Sequence, residues 1–265
     1  MDHLYPSDHI LRDMIFPKLW VRSFFEMCRF QISPITFIYR LVSVFDNRLN
    51  RIPEITRFDK GKGVRSVFFF GMANFLGMSY RREKTKKWIS YILENGFDAG
   101  VHGVEISDVD SMKTEFCHFM EMSSLNSFGI RTHYVRYNDT TFKKMADLGY
   151  LFDSSQFNKK NIEYIYPYKV GTMWEFPLII MDGYIMHHDL EDAKNSTIRA
   201  LADAETKGIE YFTFLFHDYM YNEKTYPDEK EYYEWFVDYC ILKGYGFISY
   251  REAIKELNDA DKGSK

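Results

Sequence analysis

Apolar runs alternate with polar, helix-spaced segments along this 265-residue chain. Residues 36–45 (TFIYRLVSVF) and 64–71 (VRSVFFFG), rich in β-branched and aromatic side chains, predict two strands. Residues 82–95 predict a helix stopped by Gly96, and residues 97–102 (FDAGVH) a short third strand. A helix is expected over 108–126, with Asp108 or Asp110 able to cap its start. Then come a strand at 130–134, a helix at 140–148 and a strand at 150–153. Residues 175–180 and 211–216 (YFTFLF) read as strands flanking a helix at 190–207. The end reads helix (229–242), strand (246–249) and helix (250–258). Strands each followed by a helix define an α/β class, either a parallel barrel or a doubly wound sheet.

No Pro- or Gly-rich linker and no repeat divides the chain, so a single barrel domain is expected over residues 36–258. Residues 1–35 read as a helical extension packed on it, and residues 259–265 (DADKGSK) as a frayed tail. Within residues 11–30, Ile, Phe, Leu, Trp and Val are mixed with Arg12, Lys18, Arg22 and Arg29. That mixture suits a helix on an anionic membrane surface. It also suits one packed on the barrel's outside, since Pro17 interrupts the pattern.

Composition narrows the classes. At 46% hydrophobic and 27% charged residues, disordered and fibrous chains are excluded. Aromatics reach 18%, enough to fill a core and to line a groove where rings stack on sugars. A net charge of −4 leaves no electrostatic footprint for nucleic acid. Cys28, Cys117 and Cys240 form no CxxC pair, and reduced thiols in a cytoplasmic protein are expected. The opening MDHLYPSDHILRD lacks the pattern of a signal peptide, and no apolar run reaches membrane-spanning length.

In such folds functional groups gather where strands end. Asp46 and Asn47 end the first expected strand, His102 the third, and Arg131, His133 and Tyr134 lie at the fourth. Asp153 follows the fifth, and His217 with Asp218 ends YFTFLF. Singly, an Asp after a strand caps a helix or makes a turn, and a lone His is a packed residue. Together they place acids, imidazoles and an arginine on one presumed rim. His187, His188 and Asp189 read as a loop feature, because adjacent residues rarely point the same way.

The succession FDN, VRSVFFFG, GFDAGVHG, GIRTHY, LGYLFDSS and FLFHD resembles the polysaccharide deacetylase superfamily (NodB homology, carbohydrate esterase family four) over residues 36–255. VFFF begins 21 residues after Asp46. The variant resembles deacetylase-like proteins of surface-polysaccharide gene clusters. The resemblance implies a distorted (β/α)7 barrel. A divalent metal, zinc if any, would polarise an acyl carbonyl, with an Asp as base and a late His as acid.

By that resemblance Asp46 matches the base, Arg131 the arginine that pairs with it, Asp153 a residue orienting an imidazole, and His217 the acid. His133 stands where the family has proline, as new chemistry or as filler. Asn47 and His102 match metal ligands, while Ile106 replaces the second histidine of the family's H-S/T-x-x-H segment and leaves Glu105 as a substitute. Tyr134 and Trp174 match a substrate-lining role, the latter also a core role.

The implied function is hydrolysis of an N- or O-acyl group, or a related amide, on a carbohydrate or sugar-nucleotide precursor. Its implied setting is bacterial surface-polysaccharide biosynthesis (O-antigen or capsule), in the cytoplasm or peripherally at the inner membrane. The alternatives are a non-catalytic carbohydrate-binding or scaffold protein that has lost its metal, and a metal-free isomerase built on His133 and Arg131.

Overall fold

A computed structural model of the chain describes residues 1–8, 10, 12, 14–45, 49–186 and 189–263, the side chains of 261–263 excepted. Asp46, Asn47, His187 and His188 lie outside the described residues.

Two helices come first, α1 (Ile15–Cys28) and α2 (Pro34–Val42), packed on each other. The second corrects the strand expected over residues 36–45. Ser33 Oγ accepts the Thr36 N–H at 3.0 Å and Pro34 occupies the first turn, a start signal that overrides the β-branched composition behind it. After α3 (Ile52–Lys62) the expected alternation sets in. It runs β1 (Val67–Gly71), α4 (Thr85–Glu94), β2 (Asp98–Gly103), α5 (Val109–Ser123), β3 (Ile130–Thr132), α6 (Thr141–Leu148) and β4 (Phe152–Asp153). Asp108 caps α5 by accepting the Ser111 N–H at 2.9 Å.

Next come β5 (Tyr168–Val170), β6 (Met173–Glu175) and β7 (Ile180–Met181). The single strand expected over 175–180 is split, because Pro177 between β6 and β7 has no N–H to give a ladder. Then follow α7 (Asp182–Ile185), α8 (Leu190–Thr206), β8 (Phe214–Leu215), α9 (Pro227–Lys243) and α10 (Tyr250–Gly263). Residues 246–249, also expected as a strand, join no ladder.

The fold is mixed α/β with a mostly parallel sheet in the order β1-β2-β3-β4-β6-β5, only β5 running antiparallel to its neighbour. β7 and β8 form a separate parallel pair. Among the described residues the strands thus make two sheets rather than one closed ring. An apolar cleft of about 380 Å³ separates the two, lined by Val67 and Phe69 on one side and Phe212 and Phe214 on the other. His102, His217 and Asp218 also line it.

Alternation along β1 explains the layering. Phe68 and Phe70 join Ile89 and Ile92 of α4 and Met112 of α5 in one cluster. Phe69 joins Phe152, Trp174, Phe176 and the α10 residues Ala253 and Ile254 in another. Burying each of these rings contributes about 1.5–3 kcal/mol. The parallel register sets Gly71, His102 and Arg131 side by side, so three strand ends meet along one row.

Close packing of β2 requires Gly100. A Cβ there would lie 2.6 Å from the Gly129 carbonyl oxygen and 3.0 Å from the Phe69 ring. Since the nearest atom is backbone, Gly100→Ala is expected to cost about 1–3 kcal/mol by overpacking. Urea unfolding of the variant measures it, and an unchanged midpoint contradicts this account of the strand.

Candidate metal centre

Two histidines at adjacent strand ends begin the site. His102 on β2 directs Nδ1 at the Arg131 carbonyl oxygen, 2.8 Å away, and His133, just after β3, directs Nε2 at the Leu76 carbonyl oxygen, also 2.8 Å away. A carbonyl only accepts, so each of these nitrogens carries the ring proton. The other nitrogens, His102 Nε2 and His133 Nδ1, therefore hold lone pairs, and they face each other at 3.1 Å.

Asp2 completes the group. Its Oδ1 lies 3.1 Å from His102 Nε2 and 3.7 Å from His133 Nδ1, is buried, and accepts no hydrogen bond. Three unshared electron pairs thus converge with no proton assigned among them. Oxygen and nitrogen ligands of a tetrahedral zinc ion, each about 2.0–2.1 Å from it, lie roughly 3.3 Å apart. The 3.1–3.7 Å spacings here match that edge length. The donor set fits a divalent cation, and three protein ligands leave a fourth position for water or substrate.

Titration follows from the surroundings. Burial pushes His102 down to about 4 despite the neighbouring Asp2. Burial likewise lowers His133. Burial opposes ionisation of Asp2, but its surroundings, the N-terminal ammonium among them, hold its carboxyl well below the usual range. Both imidazoles are therefore neutral and the carboxylate is charged at neutral pH, the states that metal binding requires.

The supports of these ligands can be traced. Buried Glu115 on α5 accepts the Val104 and Glu105 N–H groups at 2.9 Å each, pinning the backbone just past β2. Beyond His133 the chain turns through left-handed conformations at Tyr134 (φ 59°) and Val135 (φ 46°). Such a φ is strained for a β-branched residue. Packing of Val135 against Leu178, Met181 and Leu215 holds it there. The N-terminal ammonium donates to the Phe69 carbonyl on β1, which brings Asp2 to the strand ends.

His217, after β8, stands next to the trio with Nε2 3.8 Å from Asp2 Oδ2. Its Nδ1–H donates to the fully buried Asp182, 2.8 Å away. Burial disfavours its imidazolium, yet Asp182 and Asp2 outweigh that and lift His217 to about 9. Asp218 beside it is lifted to about 6 by burial.

Arg131 and Asp153 lie one layer back. The Arg131 side chain donates to Ser154 O, Ser154 Oγ and Tyr250 Oη at 3.0 Å each, and stacks on Phe69. Asp153 accepts from Ser155 Oγ, which in turn accepts the Thr132 N–H at 2.8 Å. Glu175 stands beside Asp153, and burial is the chief cause that raises both carboxyls. Trp174 is packed in the inner cluster, whereas Tyr134 is 45% exposed with its ring centroid 4.0 Å from that of His133.

His102, His133 and His217, all singled out from sequence, therefore come together, while Asp46 and Asn47 lie outside the described residues. Asp2 was not anticipated. Its only signal was an Asp-His pair at the chain start, with nothing in its spacing to tie it to position 102.

By sequence, no family model and no curated protein matches the chain. By structure it is similar to a "putative polysaccharide deacetylase from Mycobacterium smegmatis". The TM-score is 0.63 at 14% identity, over 94% of this chain and 88% of that one. A weaker likeness is to a Bordetella bronchiseptica "putative polysaccharide deacetylase involved in o-antigen biosynthesis". Its TM-score is 0.36 at 15% identity, over 50% of this chain and 53% of that one. The fold of this chain is therefore similar to that of the Mycobacterium smegmatis protein.

Calorimetric titration of metal-stripped, C-terminally tagged protein with zinc is expected to give one site per chain. Asp2→Ala, His102→Ala and His133→Ala should each weaken it 100-fold or more, and Asp182→Asn less than threefold. Equal affinity across all four variants would remove the trio as a metal centre.

Proposed function

We propose that the chain is a metal-dependent hydrolase that removes an acyl group from nitrogen or oxygen of a carbohydrate precursor. The observation that carries this reading is the convergence of two tautomer-fixed imidazole lone pairs and the Asp2 carboxylate, with a carboxylate-backed imidazole beside them. The fold likeness supports a carbohydrate as the substrate class. Surface-polysaccharide assembly, with a sugar nucleotide as one form of the precursor, rests on the resemblance of the sequence motifs.

When bound, a divalent cation polarises an acyl carbonyl and acidifies water. The chain's own groups supply the proton traffic. Asp218, lifted to about 6, lines the same cavity as His217 and Asp2 and is the described carboxylate suited to take a proton from the attacking water. Water oxygen bonds to the acyl carbon, and the carbon–nitrogen or carbon–oxygen bond to the sugar breaks. His217, protonated at neutral pH because it is lifted to about 9, gives its Nε2 proton to the leaving atom. Asp182 holds that ring with Nδ1 bonded and Nε2 free to act.

Tyr134, exposed at the rim, offers a ring face to the sugar. Arg131 and Asp153 position β3 and β4 beneath the ligands, and Trp174 belongs to the packing below them.

Acetate release from a panel of N- and O-acetylated sugar nucleotides and oligosaccharides tests the assignment. His217→Ala and Asp218→Asn should each lower kcat by roughly 10²–10⁴-fold while zinc binding is retained. Undiminished turnover in both variants, or no release from any acylated sugar by the zinc-loaded protein, would overturn it.

A further inference from the structure

The α1–α2 hairpin has two faces with opposite character. On one, Phe16 is buried with Val44 and Leu49, and Leu19 and Trp20 pack there with Tyr219 and Tyr226, just past His217. The other face is apolar and bare. Val21, Phe24 and Phe25 of α1 are 46–58% exposed, and Ile35, Ile38 and Val42 of α2 are 42–66% exposed. These fall at helical spacings of three, four and seven residues, so each helix carries a stripe, and the Phe24–Phe37 ring contact at 6.1 Å joins the two. At the tip between the helices Phe30 is 95% exposed and held at φ 58°, a strained conformation for a ring that nothing covers.

Charge supplies the second half of the argument. Residues 14–45 contain Lys18, Arg22, Arg29 and Arg40 against a single acid, Glu26, in a protein whose net charge is −4. Glu26 is already satisfied by Arg22 and Arg40, at 2.7 and 2.6 Å. Exposed Lys18 and Arg29 have no acid of their own segment left to pair with.

A contiguous apolar stripe flanked by uncompensated cations is the composition of a helix lying in a membrane interface. No helix among the described residues is long and apolar enough to cross a membrane, so contact of this kind is one-sided. We propose that the α1–α2 hairpin docks the protein on an anionic lipid surface, its rings and aliphatic side chains entering the headgroup boundary and Lys18 and Arg29 meeting lipid phosphates. Because Tyr219 and Tyr226 tie the hairpin to the segment following His217, docking anchors the chain through the rim of the metal centre.

Vesicle sedimentation of the full chain at 0.1 M salt tests this. Vesicles of phosphatidylglycerol and phosphatidylcholine (3:7) should bind at least tenfold more protein than phosphatidylcholine alone, and 0.5 M salt should reverse most of it. Phe24→Ser/Phe30→Ser/Ile38→Ser, all on exposed positions, should lose binding tenfold or more with an unchanged melting midpoint. Lys18→Gln/Arg29→Gln should lose about as much on the anionic vesicles alone. Protein that stays in the supernatant with both vesicle types overturns the proposal. So does a dimer, seen by light scattering, that the triple variant abolishes, since the face would then belong to a second copy.

Discussion

The site depends on two backbone carbonyls. Arg131 O and Leu76 O each claim one ring proton, and by doing so turn the opposite nitrogens of His102 and His133 into lone-pair donors aimed at Asp2 Oδ1. Were either proton on the other nitrogen, the three atoms would relax into an ordinary hydrogen-bonded cluster. As it stands, partial negative charges lie 3.1–3.7 Å apart at a buried position, an arrangement that burial alone penalises and a cation compensates. The β2–β3 register, the Glu115 clamp on residues 104–105 and the strained turn at Tyr134 and Val135 all act to keep those two carbonyls and rings in place.

Beneath that layer the protein keeps charge in places where it is costly. Arg131 is 7% exposed and Asp153 and Glu175 are fully buried. Burial raises both carboxyls, and the nearby Arg131 guanidinium favours their charged forms. Ionic groups at such depth seldom add net stability. Their value here is geometric, since Arg131 ties β3 to Ser154 and Asp153, through Ser155, ties β4 to the Thr132 N–H. Both links end within two residues of His133.

Where short runs rich in β-branched and aromatic residues stood between polar segments, sequence reading located structure well. β1 and β8 lie inside the runs VRSVFFFG and YFTFLF, β2 runs one residue past FDAGVH, and the three histidines at or just past strand ends are neighbours. It failed where local composition and tertiary context disagree. TFIYRLVSVF reads as a strand from its β-branched content, yet the Ser33–Pro34 cap makes it helical, and its apolar stripe faces outward instead of inward. Asp2 was invisible for another reason. It is 100 residues from His102, and only the docking of the chain's first residues on β1 brings it there. The partner sought for His102 at position 106 by helical spacing is found instead in His133, just past the adjacent strand, a relation that sheet register creates and sequence distance hides.

Three imidazoles at one site differ in titration because their partners differ. His102 and His133 meet carbonyls, which accept a proton without carrying charge, so burial dominates and both are lowered. His217 meets the Asp182 carboxylate, whose charge overcomes a comparable burial and raises it to about 9. Swapping the partners would swap the roles, leaving a protonated ring unable to ligate and a neutral one with little to donate. What stands behind each ring thus separates two neutral imidazoles from one protonated imidazole, and the proposed hydrolase would use that division between cation binding and proton donation.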